Sequence, residues 1–167
     1  MRRAAYLAVV LALALGLAAP SAVAQPNIFG TTLSGAEEVP ERDTAARGVA
    51  VFKLSADESE LSYRIVVTNI ENVFAAHIHC GVAGVNAAVG VTLFDGPVAS
   101  GPLNGVLVVD TATEIDPTTT CPWDDFGDVV AAVEAGAAYV NVHTNDGVAP
   151  TDTGPGDFPG GEIRGQL

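Results

Sequence analysis

The sequence predicts an all-β domain, an antiparallel Greek-key sandwich or partly closed barrel carrying one short helix. Two observations carry that expectation. Many short runs of alternating apolar and polar residues are separated by turns rich in Gly, Pro and Asp, and only one stretch has its apolar residues at helical spacing. The composition agrees: the chain is short of Lys and rich in Gly, Thr, Val and Ala, the mix of a β domain with many turns.

Taken in order, residues 25–31 read as a lead-in and Thr32-Leu33-Ser34 as the start of a strand. The acidic, Pro-containing stretch up to Arg47 reads as a loop. Residues 48–54 form a strand, 56–59 a turn and 60–67 the next strand, which together make a hairpin. In the latter strand Leu61, Tyr63 and Ile65 share one face while Ser62 and Arg64 share the other. Residues 75–79 are a short strand ending at Cys80-Gly81, and a Gly/Ala/Asn loop over 81–88 leads to a strand at 89–94. A further strand spans 105–109, followed by a polar loop over 110–122. The helix is announced by Asp124 or Asp125 as N-cap, by Phe126, Val129, Val130 and Val133 on one stripe, and by Gly136 beyond its end. Residues 138–144 alternate clearly as a strand, 145–161 form a long loop dense in Gly, Pro and Asp, and 162–167 form the last strand.

The N-terminus has the three parts of a secretory signal peptide: Met1-Arg2-Arg3, an apolar run over 4–19, and the small-residue end Ala22-Val23-Ala24. The run is short for a membrane span. Residues 1–24 are therefore expected to be removed on export, leaving 25–167 as one domain, secreted or periplasmic and free of the membrane. The charge balance is 7 Lys+Arg against 20 Asp+Glu. Such a surface repels nucleic acid and anionic lipid and favours cations nearby, so no nucleic-acid partner is expected. Cys80 and Cys121 are the only cysteines. In an exported chain such a pair most often forms a disulfide; the alternative is a thiolate metal ligand, because Cys80 directly follows His79.

Four segments resemble a known family. Leu33-Ser34-Gly35-Ala36-Glu37-Glu38-Val39-Pro40 is similar to the opening motif of CHRD (chordin-type) domains, and Ala76-His77-Ile78-His79-Cys80-Gly81-Val82-Ala83-Gly84-Val85-Asn86 to their central motif. Tyr139-Val140-Asn141-Val142-His143-Thr144 and Gly160-Gly161-Glu162-Ile163-Arg164-Gly165-Gln166-Leu167 resemble the two closing motifs. The four stand in the family's order across the whole mature chain. Cys80 and the length of the loop over 144–160 depart from the family pattern. The resemblance implies an extracellular β-fold and leaves the chemistry open.

All three histidines of the chain, His77, His79 and His143, lie in these motifs. His77 and His79 are two apart, so strand geometry puts them on one face. His143 shares a face with Tyr139 and Asn141 by the same rule. If the two strands are neighbours, three imidazoles converge, a donor set suited to Cu, Zn, Ni or Fe that can leave a coordination position open. Metal binding would then weaken as pH falls through about 6.5, the unperturbed histidine range. An H-x-H strand on a Greek-key barrel is also similar to copper–zinc superoxide dismutase. Three histidines are too few for that enzyme's paired site, so the analogy favours copper without dismutase activity.

Other constellations are weaker. Glu162 and Arg164 share a face and are expected to form an inward ion pair or to contact Tyr139 and Asn141. Asn145, Asp146, Asp152 and Asp157 fit no calcium-loop spacing and read as turn residues. Asp124, Asp125 and Asp128 suit helix capping and the helix dipole. No nucleophile elbow, Walker or dinucleotide motif occurs, so organic catalysis is not expected. Two functions follow: an exported domain holding one copper ion, in preference to zinc, through the three histidines, or an extracellular interaction or matrix module with a protein partner, its histidines structural.

Overall fold

A computed structural model describes residues 28–167, and the leader assigned to residues 1–24 lies outside them. Eight strands make one antiparallel sheet: β1 (Ile28–Ser34), β2 (Arg47–Leu54), β3 (Leu61–Glu71), β4 (Val73–His79), β5 (Val89–Asp95), β6 (Pro102–Ala112), β7 (Tyr139–Thr144) and β8 (Ile163–Gln166). Their order is β5-β4-β7-β8-β1-β2-β3-β6. The sheet curls until its edge strands β5 and β6 lie beside each other without a hydrogen-bonded ladder, a nearly closed barrel. Around that seam the order β3-β6-β5-β4 is a Greek key.

Alternation explains the core. Phe52 and Leu54 of β2, Leu61, Tyr63, Ile65 and Val67 of β3, Ala76 and Ile78 of β4, Val91 and Leu93 of β5, Val140 and Val142 of β7 and Ile163 of β8 all point inward and are buried. The helix α1 (Phe126–Glu134) adds Phe126, Val129, Val130 and Val133 to the same core. Its N-cap is Asp125, whose carboxylate accepts from the Gly127 N–H. Gly136 follows with φ 66°, the left-handed turn that ends a helix. Among the described residues no helix is long and apolar enough to cross a membrane.

Several strands are longer than local alternation indicates. β1 begins at Ile28 rather than Thr32, because Ile28 to Thr31 pair with Lys53 to Ala50. β3 runs past two register shifts to Glu71, and β6 extends from Pro102 to Ala112, taking in Asp110 and Thr111, which read as loop in the sequence. In each case long-range pairing carries the strand through residues of poor β-propensity, Gly30 in β1, Asn69 in β3 and Pro102, Asn104 and Asp110 in β6.

Cys80 and Cys121 form a disulfide across 41 residues, tying the end of β4 to the loop before α1. Closing a loop of that size restricts the unfolded chain, and removing the bridge is expected to cost roughly 2–4 kcal/mol. Urea midpoints with and without reductant measure it; coincident midpoints would show that the bridge adds nothing.

Candidate metal centre

On β4 and β7 the side chains opposite the core form a second, polar layer. Register sets His77 of β4 opposite Asn141 of β7, His79 opposite Tyr139 and Ala75 opposite His143, so His143 is diagonal to His77. Both histidines of β4 sit at irregular steps of its ladder with β5, a device that re-aims side chains. Three loops cover this face. The loop over 80–88 meets His79 and Tyr139, the loop over 35–46 brings Glu38 to Asn141, and the loop over 145–161 brings Pro159 to His143.

The three imidazoles converge. One ring nitrogen from each lies within 4.8 Å of the others. His77 Nδ1 and His143 Nε2 are 3.1 Å apart. Two nitrogens bound tetrahedrally to one ion at ordinary bond lengths sit about 3.3 Å apart, so that pair already has chelating separation. His79 and His143 each turn Nδ1 to a backbone carbonyl, of Ala87 and Pro159 respectively, both at 3.0 Å. Donating Nδ1–H there leaves Nε2 as the lone-pair atom, the arrangement in which metal-binding histidines are held by outer partners. His79 Nε2 is buried and has no hydrogen-bond partner. His79 and His143 are buried, whereas His77 is half-buried.

Burial determines the protonation of the cluster. Desolvation, helped by the neighbouring imidazoles, brings His143 down to about 3 and His79 to about 4. His77 is also lowered by burial, against the opposing pull of Asp116 and Asp95. All three are neutral donors at neutral pH. Protons therefore compete for these nitrogens below the value near 6.5 that an exposed histidine would give, furthest below it at His79 and His143.

Glu162 and Arg164 are both buried on this layer, but they do not form the ion pair expected from their shared face. The single ion pair among the described residues is Arg42–Asp152 at 3.1 Å. Arg164 instead lies over the Tyr139 ring, the contact that was the alternative expectation, and donates to the carbonyls of Val82 and Val85. Glu162 accepts from the hydroxyls of Thr44 at 2.6 Å and Thr144 at 2.7 Å and from the Gly156 N–H at 2.9 Å. Thr144 ends β7, whereas Thr44 and Gly156 come from loops whose approach local sequence does not encode. Glu162→Ala leaves those donors without an acceptor in a buried place, at roughly 1–3 kcal/mol each, so a loss of about 3 kcal/mol or more is expected. Denaturant melts check it; a loss under about 1 kcal/mol would show that water replaces the carboxylate.

Gly161 has φ 124°, and a Cβ there would collide with the Asn141 amide and with Glu38. Glycine thus lets the last strand pass under the polar layer. Glu38 is pushed up to about 7, chiefly by burial, with Arg164 and Arg42 pulling the other way. Sequence reading did not single out Glu38, nor the carbonyls of Ala87 and Pro159; Glu38's place in the opening motif was the one available signal. The long loop behaves as turns: Asn145 and Asp146 accept from Gly147 and Val148 N–H, and Asp157 accepts from the backbone and hydroxyl of Thr153. The histidine trio is the only cluster of metal-ligating side chains of its kind among the described residues.

The family model described as the CHRD domain matches residues 29–151 of the chain. No curated protein and no solved structure matches it.

Proposed function

This chain belongs to the CHRD domain family, and we propose that in it His77, His79 and His143 hold one divalent transition-metal ion, as an exported metal-binding domain. The observation that carries this reading is His79 Nε2, a buried lone pair with no partner, placed beside two more imidazole nitrogens that are neutral at physiological pH. A buried acceptor without a donor is costly, and an ion shared with the other two imidazoles would remove that cost. The donor set is nitrogen only, and among divalent ions the affinity order favours Cu²⁺ over Zn²⁺ at such a site. Three donors leave a coordination position for water or another ligand. Export to an oxidising compartment is supported by the Cys80–Cys121 bridge and by the leader-like N-terminus. Sequestration or delivery of the ion is the role this geometry suits.

The alternative, an extracellular interaction module with structural histidines, is favoured by the hydrogen bond from His77 to His143, which satisfies that pair without an ion. Calorimetric titration of the mature, metal-free protein with CuCl₂ and ZnCl₂ separates the two. One equivalent of Cu²⁺, bound more tightly than Zn²⁺, is expected. Absence of a stoichiometric ion would leave the interaction module as the reading. Burial lowers all three imidazoles, His79 and His143 to about 4 and about 3, so proton competition should set in below the 6.5 of an exposed histidine.

A further inference from the structure

We propose that Arg164 and Tyr139, which give the ion no donor atom, set its affinity by fixing the ring and tautomer of His79. This rests on the three-histidine reading. Tyr139 is directly opposite His79 across the β4–β7 ladder, and their rings stack at 4.7 Å with 6° between planes. Arg164 covers the other side of Tyr139, its guanidinium carbon 3.4 Å from the ring centroid. The result is a three-layer stack, Arg164 on Tyr139 on His79, built from three adjacent strands.

The same guanidinium controls the opposite edge of the imidazole. Arg164 is 1% exposed and donates to the carbonyls of Val82 (3.2 Å) and Val85 (3.1 Å) and to Asn86 Oδ1 (3.4 Å), all in the loop over 80–88. Asn86 in turn donates to the Val39 carbonyl at 2.6 Å. The next residue is Ala87. Its carbonyl takes the His79 Nδ1–H, and its N–H donates to the Tyr139 hydroxyl at 3.1 Å. One buried cation therefore holds both the plane against which the ring rests and the loop whose carbonyl selects its tautomer. The selected tautomer leaves Nε2 as the lone-pair atom, on a ring whose centroid is 5.6 Å from those of His77 and His143. Outer partners of this kind change metal affinity by roughly 10–100-fold when removed.

Lysine at position 164 keeps a positive charge. It cannot lie flat on Tyr139, nor reach three acceptors with one planar fork. Arg164→Lys, in the mature disulfide-bonded protein, is the test. Two readouts are taken: Co²⁺ titration followed by visible absorption, which reports coordination geometry, and ¹⁵N shifts of the His79 ring in the metal-free protein, which report its tautomer. The expected result is a Co²⁺ Kd raised tenfold or more, an altered absorption band, and loss of the pure Nδ1–H pattern at His79. Asn86→Ala, at an exposed position, loosens the same loop and should move all three in the same direction by less; it decides the matter if Arg164→Lys does not fold. Wild-type affinity, band and ring shifts in the folded variant would overturn the inference and leave the metal site standing. If wild-type protein binds neither Co²⁺ nor Cu²⁺, the three-histidine reading fails and this inference falls with it.

Discussion

Replacing His77, His79 or His143 by Ala, one at a time, is expected to weaken Cu²⁺ binding by at least about a hundredfold while the β-sheet stays folded. Removing an outer partner alone costs 10–100-fold, and losing one of three ligands costs more. The three variants differ in the metal-free protein. His143→Ala removes a donor to the Pro159 carbonyl and the acceptor for His77, whereas His79→Ala also removes the unpartnered Nε2. His79→Ala should therefore be the better tolerated of the two buried substitutions, although it gives up the stack on Tyr139. Asp146→Ala is the control, because Asp146 only caps the turn at Val148. Asp157 is unsuitable, being buried and bonded to Thr153. Metal should raise the melting temperature of wild type and not of the variants. One equivalent bound at wild-type affinity by the triple variant would put the site elsewhere.

How much of this site was legible in the sequence follows from which interactions are local. Strand periodicity alone places His77 with His79, and Tyr139 and Asn141 with His143, because side chains alternate. It cannot say that β4 and β7 are neighbours; that follows from the sheet order. Once they are, register sets His143 diagonal to His77 and the trio closes. The Glu162–Arg164 expectation had the parity right and the ion pair wrong, while its alternative, Arg164 against Tyr139, is what the structure has. Each side chain found loop groups far away in sequence, Thr44 for one and Val82 for the other, and no local rule reports those approaches.

The fold shows the same division. The helix was readable because its cap, stripe and terminal glycine lie within a dozen residues. The ends of β1 and β6 were not, since Gly30, Pro102, Asn104 and Asp110 carry no strand signal and join only by pairing with β2 and β3. The disulfide was readable from cysteine number and the leader-like N-terminus, whereas the approach of Cys121 to the loop that holds His79 emerges only in three dimensions.

Acid should destabilise the metal-free protein well before ordinary carboxylates protonate. His79 and His143 titrate near 6.5 when unfolded and at about 4 and about 3 when folded. Between those values the unfolded chain binds protons that the folded chain excludes. Stability is therefore complete above about 6.5 and falls as pH drops toward the folded values, by about 1.4 kcal/mol per pH unit for each group. His77 acts in the same direction and less, being half-buried. Glu38 acts in the opposite direction. Its folded value of about 7 lies above the ordinary 4.5, so the folded state binds the extra proton in that window and gains stability as pH falls. One raised carboxyl offsets roughly one lowered histidine. The other histidine is left, which over the two units from pH 6.5 to 4.5 is about 3 kcal/mol of net loss. Glu38→Gln deletes the opposing contribution, so its stability should fall more steeply than wild type over the same range. Urea midpoints in chelator at pH 7, 6, 5 and 4.5 measure both slopes. A wild-type profile that is flat or rises on acidification would mean that the imidazoles are solvated, and a site whose donors are solvated would bind its ion with the proton competition of exposed histidines.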